Sequence, residues 1–566
     1  MQERLIVLGA GVMQGPIFRI ARELGLYTVA VDGSSAAPCI GMADRFEHID
    51  LKDKEGIEAF ARALRDSGGV AGIMTAGTDF SGTVAWVAER LGLPGIPYEV
   101  ALNASDKARM RSCFKKAGVP SPEFTIIDSV DTLDELSLPA PFPLVVKPVD
   151  NMGGRGCRRV DTAGELRAAA ADSLRFSRSG RAIVEGFMEG PEFSVDAIVY
   201  HGEITICGLA DRHIFFPPCF IEMGHTMPTN CAPEQQNSLL EAFCAGVRAL
   251  GIVGGENIGA AKGDVKLTPQ GPMIGEIAAR LSGGYMSGWT YPYSSGVEPI
   301  RAAILAATGR KPDGLVPPKN WTSAERAFIS IPGTVKAIYG TEAARKQPHV
   351  QDMFFRIAEG DKVSFPENNV SKCGNVISAA PDRAAAIEAA ENAVRSILIH
   401  LDPADRETGT FLSGTTAFPP GAFQLTPDLK TVLSQLPETT LGIKGNGEWG
   451  MGNGESDLNY WGTTRKHRYC PNNKPTPQSP VPSPLSLIPF PEFTASSLKD
   501  YVGRSVAESL QAVRELAGLP LPESRMESPG NSDNKKSFLG KSFWAALVRG
   551  GYQGALYYID QLRGGN

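Results

Sequence analysis

The hydrophobic pattern of the first hundred residues predicts alternating strands and helices. Residues 4–8 form a short apolar run that indicates a buried strand, and residues 16–24 have the spacing of an amphipathic helix. A second apolar run covers residues 27–31. Residues 70–74 then predict another strand, and residues 83–91 another helix. This alternation predicts an α/β domain over residues 1–105.

A glycine-rich turn, Gly9-Ala-Gly-Val-Met-Gln-Gly15, separates the first strand from the first helix, and the second strand ends in Asp32. Strand, glycine turn, helix, strand and terminal acid follow one another in dinucleotide-binding domains. The spacing differs, because three residues precede Gly15 where that motif has two. An NAD(P) site and a purely structural turn both remain open. The turn Thr75–Asp79, at a strand's carboxyl end, is expected to be structural, with substrate contact as the alternative.

The next segment carries two lysines near a flexible loop. Lys107 opens a predicted helix that runs to Lys116, and Lys147 ends the apolar strand 143–148. A lysine that ends a buried strand needs an anionic partner, and phosphate is a suitable one. The loop that follows has the flexibility to fold over phosphates and donate backbone N–H groups; its glycines are Gly153, Gly154 and Gly156. The alternative for each lysine is a solvated surface residue.

A predicted hairpin within residues 262–284 brings two carboxylates together. Asp264 lies on its first strand and Glu276 on its second, with the cations Lys262 and Arg280 nearby. Two such carboxylates can hold Mg²⁺ against a phosphate chain. The alternative is a solvated hairpin whose charges face water.

Two further groups of residues have the chemistry of a nucleotide and substrate site. Glu185, on the predicted strand 182–187, suits an adenine edge, and Glu192 suits ribose hydroxyls; each is otherwise a solvated charge. Residues 211–230 are aromatic, rich in proline and not periodic, which predicts a substrate-lining loop. Its candidates for substrate contact are Arg212, His213 and His225. Their alternative role is to satisfy loop carbonyls, and His225 is also a candidate base for the incoming ammonium.

The remainder of the chain predicts a companion domain and a tail without assigned chemistry. Two strands flank Pro332-Gly333, further strands are predicted at 353–358, 361–364 and 373–379, and a helix covers 383–400. A Gly/Asn-rich stretch at 442–455 and a Pro-rich stretch at 471–491 predict linker or wrapping. Helices are predicted at 496–517 and 536–562. The second helix carries an apolar stripe suited to packing on the enzyme or a partner, made of Phe538, Phe543, Leu547, Tyr552 and Leu556.

Length, net charge, cysteine spacing and the length of apolar runs limit the classes of protein to consider. A chain of 566 residues is expected to form roughly three or four domains. A net charge of −6 gives no basic footprint for nucleic acid, and the nine cysteines show no zinc spacing. No apolar run approaches the roughly 18 residues that a membrane helix needs. We expect a cytoplasmic protein that binds neither nucleic acid nor membrane.

The order and spacing of these pieces resemble the ATP-grasp superfamily over about residues 5–401. The most specific parts are VVKP, the glycine loop, VEGFMEGPEFSVD and GEIAARLSGG. The resemblance implies an α/β and α+β fold. Its expected parts are a Rossmann-like pre-ATP-grasp domain (1–105), a two-lobed ATP-grasp domain (106–310), a small C-terminal α+β ligase domain (311–405), a linker or wrapping segment (406–490) and a helical appendix (491–566).

The resemblance also implies roles for individual residues. The ATP-binding residues are expected to be Lys107, Lys147, Gly153, Gly154, Gly156, Glu185, Phe187 and Glu192, with the backbone of Glu185 and Phe187 against adenine. Asp264 and Glu276 would hold Mg²⁺ or Mn²⁺, while Arg280 and Lys147 would be catalytic and Arg280 would steady the acyl phosphate. The substrate candidates are Arg212, His213, His225, Ser282 and Gly283. Ala278 occupies a position where many members have a third metal ligand, Asn, so the number of metal ions stays open.

Three function classes follow. The first is an ATP-dependent carboxylate–amine ligase similar to L-amino-acid ligases, which acts on small-molecule carboxylate and amine substrates and releases ADP and phosphate. The second is a carboxylase-like or purine-pathway ligase that uses bicarbonate or a phosphoribosyl amine. The third is an NAD(P)-binding oxidoreductase or a nucleotide sensor without catalysis. A homodimer is compatible with each class.

Overall fold

A computed structural model describes residues 2–134, 136–413, 509 and 541–564. Two compact units share these residues. The first contains residues 1–326 with the short pieces 367–369 and 377–388, and the remainder belongs to the second. The domain boundaries predicted at residues 105, 310, 405 and 490 stay predictions.

The first unit begins with a parallel sheet of order β3-β2-β1-β4. Its central strand is buried on both faces, which is why the apolar runs predicted it well. The strands are β1 (Arg4–Leu8), β2 (Tyr27–Asp32), β3 (Arg45–His48) and β4 (Gly72–Met74). The helices are α1 (Gly15–Glu23), α2 (Lys54–Asp66), α3 (Ser81–Leu91) and α4 (Tyr98–Ser105).

A small antiparallel sheet of order β5-β8-β6-β7 follows in the first unit. Its strands are β5 (Phe124–Ile127), β6 (Leu144–Pro148), β7 (Arg158–Val160) and β8 (Ala182–Gly186), and its helices are α5 (Lys107–Ala117) and α6 (Ala163–Phe176). Asp106 caps α5 by accepting hydrogen bonds from the N–H groups of Ala108 and Arg109. The glycine loop is therefore the connection between the paired strands β6 and β7.

A larger antiparallel array in the same unit has the order β13-β12-β9-β10-β11-β14. Its strands are β9 (Glu192–Tyr200), β10 (Glu203–Phe215), β11 (Ile221–Met227), β12 (Ile258–Thr268), β13 (Gly271–Ala278) and β14 (Thr322–Phe328), and its helices are α7 (Pro233–Ala249), α8 (Tyr291–Ser294) and α9 (Pro299–Ala307). Phe243 of α7 packs on Gly263 so closely that a Cβ there would lie 2.4 Å from the ring. This packing covers one face of the β12–β13 hairpin, and the other face carries the opposed residues Asp264 and Glu276.

The prediction of a loop over residues 211–230 is wrong. Residues 211–215 are the end of β10, and residues 221–227 form the whole of β11; the two strands pair antiparallel, and only residues 216–220 connect them. The prolines and aromatic residues that suggested a loop are concentrated in this short connection. Arg212 pairs with His225 in the register, so two substrate candidates lie side by side on adjacent strands.

The second unit contains a small sheet of order β17-β15-β19. The elements after residue 327 are α10 (Thr341–Arg345), α11 (Arg383–Ser396), α12 (Arg406–Ser413), β15 (Gly333–Tyr339), β16 (Val350–Phe355), β17 (Lys362–Val363), β18 (Gly374–Ala380) and β19 (Leu398–Leu401). The strands predicted here are confirmed. The helix predicted to reach His400 was too long, because its last residues form β19 and pair with β15.

A helix near the end of the chain, α13 (Lys541–Gly564), packs within the second unit. The four described members of its apolar stripe are buried: Phe543, Leu547, Tyr552 and Leu556. The Tyr552 hydroxyl donates to the Ile397 carbonyl at 3.0 Å, and the Gln553 amide donates to the Ile399 carbonyl at 2.9 Å. The prediction of a packing stripe is thereby confirmed. Phe538, the predicted helix 496–517 and the two linker segments lie outside the described residues, apart from residue 509.

No helix among the described residues is long and apolar enough to cross a membrane.

The first prediction concerns a break inside α13. Gly551 has φ 57° and ψ −148°, a conformation that is open almost exclusively to glycine. Gly551→Ala is expected to cost about 1–3 kcal/mol and to lower the thermal unfolding midpoint of the second unit. Ser542→Ala, at an exposed position of the same helix, is the control and should leave the midpoint unchanged. Equal unfolding midpoints for Gly551→Ala and Ser542→Ala would contradict the requirement for glycine at residue 551.

Candidate functional site

The β12–β13 hairpin places the two predicted metal ligands opposite each other. Asp264 is paired with Glu276 in the register, and a bulge follows immediately between Asp264 and Val265. Side chains of directly opposed residues point to the same face of a sheet, so both carboxylates face away from the packing of α7. The predicted hairpin is confirmed, while the metal role of its acids stays a prediction.

Cations surround the Asp264 carboxylate. It forms an ion pair with Lys262, lies 3.3 Å from Arg212 and accepts a hydrogen bond of 3.0 Å from Ser194. Burial raises the pKa of this carboxyl, but Arg212 and Lys262 outweigh burial and hold the pKa below its ordinary value. Asp264 is therefore ionised at neutral pH and is available as a hard oxygen ligand.

Glu276 faces Lys107 and so connects the hairpin to α5. The two charged groups are 3.5 Å apart, and the Lys107 ammonium also donates to the Asn151 carbonyl at 2.8 Å. Burial raises the pKa of Glu276, but Lys107 and Lys147 outweigh it and leave the pKa lowered. Burial alone would lower the pKa of Lys107, yet Glu276 and Asp79 leave it raised. Lys107 thus stays charged beside the glycine loop and the hairpin.

A buried chain of charges holds Lys147. Its ammonium lies 2.8 Å from one oxygen of Glu185, and Arg111 donates to the other oxygen at 2.8 Å. Arg111 is fully buried and also donates to the Gly275 carbonyl of β13 at 2.7 Å. Burial raises the pKa of Glu185, but these two cations outweigh it and keep the carboxylate ionised. The Glu185 side chain therefore orients Lys147, a role that the sequence interpretation did not include.

Sequence reasoning missed Arg111. It lies four residues after Lys107 on the same helix, and such spacing puts two side chains on one face. That spacing is the signal that could have found it. Its Nη1 atom is buried and has no hydrogen-bond partner among the described residues. This cation is therefore removed from water.

The glycine loop adopts backbone conformations that favour glycine. Gly153, Gly154 and Gly156 have φ values of 71°, 76° and 67°. The Asn151 amide donates to the Phe176 carbonyl at 2.8 Å, which anchors the start of the loop. These three positions therefore need glycine, because other residues rarely adopt such φ values.

The adenine candidate Phe187 and the ribose candidate Glu192 both lie near cations. Phe187 has the Arg159 guanidinium 4.7 Å and the Lys266 ammonium 5.1 Å from its ring centroid, and its N–H donates to the Pro143 carbonyl at 3.2 Å. Glu192 forms an ion pair with Arg212 and lies 3.7 Å from Lys266. Their proposed contacts with nucleotide stay predictions.

Arg212 joins three carboxylates rather than loop carbonyls. It pairs with Glu192, lies 2.8 Å from Glu222 and 3.3 Å from Asp264. Burial would lower the pKa of Arg212, but the acids around it raise the value well above normal. Arg212 therefore connects the ribose candidate Glu192 directly to the metal candidate Asp264. Its third partner, Glu222, was not singled out by the sequence interpretation.

The two histidine candidates differ in environment. His225 is buried, with Nδ1 3.0 Å from Glu325 and Nε2 3.6 Å from Glu222. His213 contacts the Thr226 hydroxyl at 2.9 Å. Burial, together with Arg326, lowers the pKa of His213 to about 3. His213 is therefore neutral at physiological pH, whereas His225 has acids on both sides.

The three candidate residues after β13 differ in their contacts. The Arg280 Nη1 atom donates to the Leu281 carbonyl at 3.1 Å, and its buried Nε has no partner among the described residues. Ser282 donates its N–H at 2.8 Å, and also its hydroxyl, to buried Asp196. A Cβ on Gly283 would lie 3.3 Å from Gly77. The proposed contacts of Arg280, Ser282 and Gly283 with substrate stay predictions.

Contacts at the first glycine turn favour its structural interpretation. The Asp32 carboxylate accepts hydrogen bonds from the N–H groups of Ala10 and Ser34, both at 2.8 Å. The Gln14 side chain accepts from Gly11 at 2.9 Å and donates to the Ala76 carbonyl. Side chains of the protein thus occupy the groups that a dinucleotide would need.

Asp264 and Glu276 are suited to a magnesium ion whose other ligands are phosphate oxygens and water. Within the described part of the chain, no group of three or more His, Cys, Asp or Glu side chains forms a ready metal cage. Mg²⁺ is commonly bound by one or two carboxylates plus phosphate oxygens and water. The opposed, ionised pair of Asp264 and Glu276 matches that donor set.

Comparisons with known proteins identify families and folds that parts of the chain resemble. Residues 140–287 match the ATP-grasp domain, and residues 327–402 match the L-amino acid ligase C-terminal domain 2. An uncharacterised protein, y4rH of Sinorhizobium fredii, is 26% identical over 391 residues, which are 68% of this chain and 79% of that protein. Carnosine synthase 1 of Gallus gallus is 27% identical over 54% of this chain and 35% of its own length. The crystal structure of L-amino acid ligase from Bacillus licheniformis superimposes with a TM-score of 0.61 at 22% identity, covering 71% of this chain and 99% of that one.

The second prediction tests the buried charge chain. Arg111→Met removes one partner of a buried carboxylate and should cost about 3–5 kcal/mol of stability, because Glu185 keeps its charge without sufficient compensation. Binding of ATP, followed by calorimetry, should weaken in parallel because Lys147 loses its fixed position. Arg109→Met on the same helix removes a partly exposed ion pair with Glu99 and a hydrogen bond of 3.1 Å to Asn103, and it should have a much smaller effect on both quantities. Similar effects of both variants would show that Arg111 has no special role.

The third prediction concerns His213 and pH. The folded protein keeps this side chain neutral down to a pKa of about 3, whereas an unfolded histidine titrates near 6.5. Between these values the unfolded state binds the extra proton, so acidification through this window lowers stability. His213→Gln should flatten the decrease in thermal midpoint between pH 6 and pH 4. An unchanged slope would mean that His213 is protonated in the folded protein.

Proposed function

We propose that this chain, as an ATP-grasp enzyme with an L-amino acid ligase C-terminal domain, activates a small carboxylate with ATP and joins it to the amine of an amino acid. The products are an amide or peptide bond, ADP and phosphate. The observation that carries the proposal is the convergence of Lys107 and Glu276, which lie 3.5 Å apart, beside the glycine loop and the Asp264 carboxylate. Ionised acids and cations in this arrangement suit a metal-bound phosphate chain.

The chemistry requires activation because oxide is a poor leaving group. A carboxylate oxygen of the first substrate attacks the γ-phosphorus of ATP, and ADP leaves. The amine then attacks the acyl carbon, phosphate leaves, and the ammonium proton passes to a base or to solvent. No protein nucleophile is required, so the task of the residues is alignment and charge neutralisation.

Each part of the site can perform one of these tasks. Lys147, which Glu185 and Arg111 hold in place, is suited to binding phosphate oxygens, and Lys107 is suited to the same task beside the loop. Arg280 is suited to the carboxylate and to the acyl phosphate formed from it. The glycine loop is expected to close over the phosphates and exclude water, which would otherwise hydrolyse that intermediate.

Asp264 and Glu276 would hold Mg²⁺, or Mn²⁺, against the phosphate oxygens. When bound, such an ion neutralises charge that develops on the transferred phosphoryl group. Ala278 supplies no third oxygen, so the remaining positions around the ion fall to phosphate and water.

The surroundings of His225 suit a proton acceptor for an incoming amine. Glu222 and Glu325 flank this side chain, and Glu222 is also paired with Arg212 at 2.8 Å. An ammonium group would be attracted to these acids, and His225 is a candidate to accept its proton.

The fourth prediction tests the reaction and the metal assignment together. Protein mixed with ATP, Mg²⁺ and pooled amino acids should release phosphate faster than protein with ATP and Mg²⁺ alone. Glu276→Gln should abolish that stimulated release, with a loss of about a thousandfold or more, because one of two metal ligands loses its charge.

Glu241→Gln, at an exposed position on α7, is the matched control and should retain wild-type turnover. Product analysis by mass spectrometry should find an amide-linked pair. Absence of amino-acid-stimulated release from every pool would refute the ligase proposal, and full activity of Glu276→Gln would refute the metal assignment alone.

A further inference from the structure

A short segment late in the chain reaches the glycine loop. Residues 367–369 belong to the first compact unit, although the residues on either side of them belong to the second. The Asn369 N–H donates to the Gly153 carbonyl at 2.8 Å. The loop therefore has a hydrogen-bond partner that comes from about two hundred residues away in sequence.

A second contact holds the far end of the loop. Arg158 is the first residue of β7, and its guanidinium donates to the Glu367 carbonyl at 3.3 Å and lies 3.1 Å from the Glu367 carboxylate. The same guanidinium lies 3.5 Å from Asp172 of α6. Glu367 is largely exposed, so this ion pair is weak by itself. Its effect is to keep the segment close to the point where the loop rejoins the sheet.

The same segment also contacts strand β11. The Glu222 N–H donates to the Asn369 side-chain oxygen at 2.8 Å. Pairing between β11 and β14 begins only at Gly224, so Glu222 precedes that ladder and Asn369 supplies an acceptor for its N–H. Glu222 in turn accepts from Arg212 at 2.8 Å and lies 3.6 Å from His225.

We propose that Asn369 is a positioning residue that couples closure of the glycine loop to the strand that carries Glu222 and His225. Its backbone N–H binds the phosphate-side loop, and its side chain binds the amine-side strand. The inference rests on the proposed function, since it assigns the loop to ATP and the strand to the amine. The consequence is that the loop closes fully when the amine side is in place, so the acyl phosphate meets the amine rather than water.

The first arm of the fifth prediction needs no turnover. Asn369→Ala removes the acceptor for the Glu222 N–H. Amide hydrogen exchange of peptides covering residues 221–227, which contain the Glu222 amide, and residues 367–371, which contain the amide bound to Gly153, should accelerate by roughly threefold to tenfold, the effect of one lost hydrogen bond. Asn369→Asp keeps an acceptor oxygen and should restore slow exchange. Gln351→Ala truncates an exposed amide and is the control. Unchanged exchange in Asn369→Ala would overturn the proposal.

The second arm measures coupling. In Asn369→Ala, phosphate released per amide bond formed should rise by roughly threefold to tenfold as water competes for the acyl phosphate, and Asn369→Asp should return the ratio towards wild type. A residue with a merely structural role would lower both products together and leave the ratio unchanged, and that result would also overturn the proposal. Absence of amino-acid-stimulated turnover in the wild type would refute the proposed function, while the exchange comparison would still decide the role of Asn369.

Discussion

The site depends on a buried carboxylate shared by two cations. Glu185 is almost fully buried, and it is stable there because Arg111 and Lys147 each approach one of its oxygens at 2.8 Å. Removing charges from water is costly, and the cost is offset only when every partner is in place. Since Arg111 also donates to the Gly275 carbonyl of β13, one network connects the small sheet to the hairpin that carries Asp264 and Glu276. The Lys147 ammonium is consequently held in place by side chains of the protein itself.

The fold followed from the sequence where apolar periodicity and turn residues agreed. The strand Arg4–Leu8 and the hairpin that opposes Asp264 and Glu276 are examples, because burial on one or both faces leaves a readable pattern. Prediction was wrong at residues 211–230, where the charged side chains of two paired strands contact one another. Ion-paired residues such as Arg212 and Glu222 replace the apolar residues that would have marked the strands, and the local pattern is lost.

The sequence indicated candidate residues one by one, but it did not indicate which residues contact each other. Sequence reasoning selected Glu185 and Arg212 as individual charges, whereas the structure shows that each works through neighbours distant in the chain. Arg212 reaches Glu192, Glu222 and Asp264, and such a set depends on strand register rather than on spacing in sequence. Arg111 and Asn369 were missed for the same reason, since their partners are defined only by tertiary folding.

Because α13 packs on β19, this part of the second unit can form only after the residues of α13 have been translated. The strand Leu398–Leu401 is translated well before the helix whose Tyr552 and Gln553 bind the carbonyls beside and within it. At about 5–20 residues per second, residues 414–540 take roughly 6 to 25 seconds to translate. Throughout that interval the Ile397 and Ile399 carbonyls lack the hydrogen-bond donors that Tyr552 and Gln553 later supply.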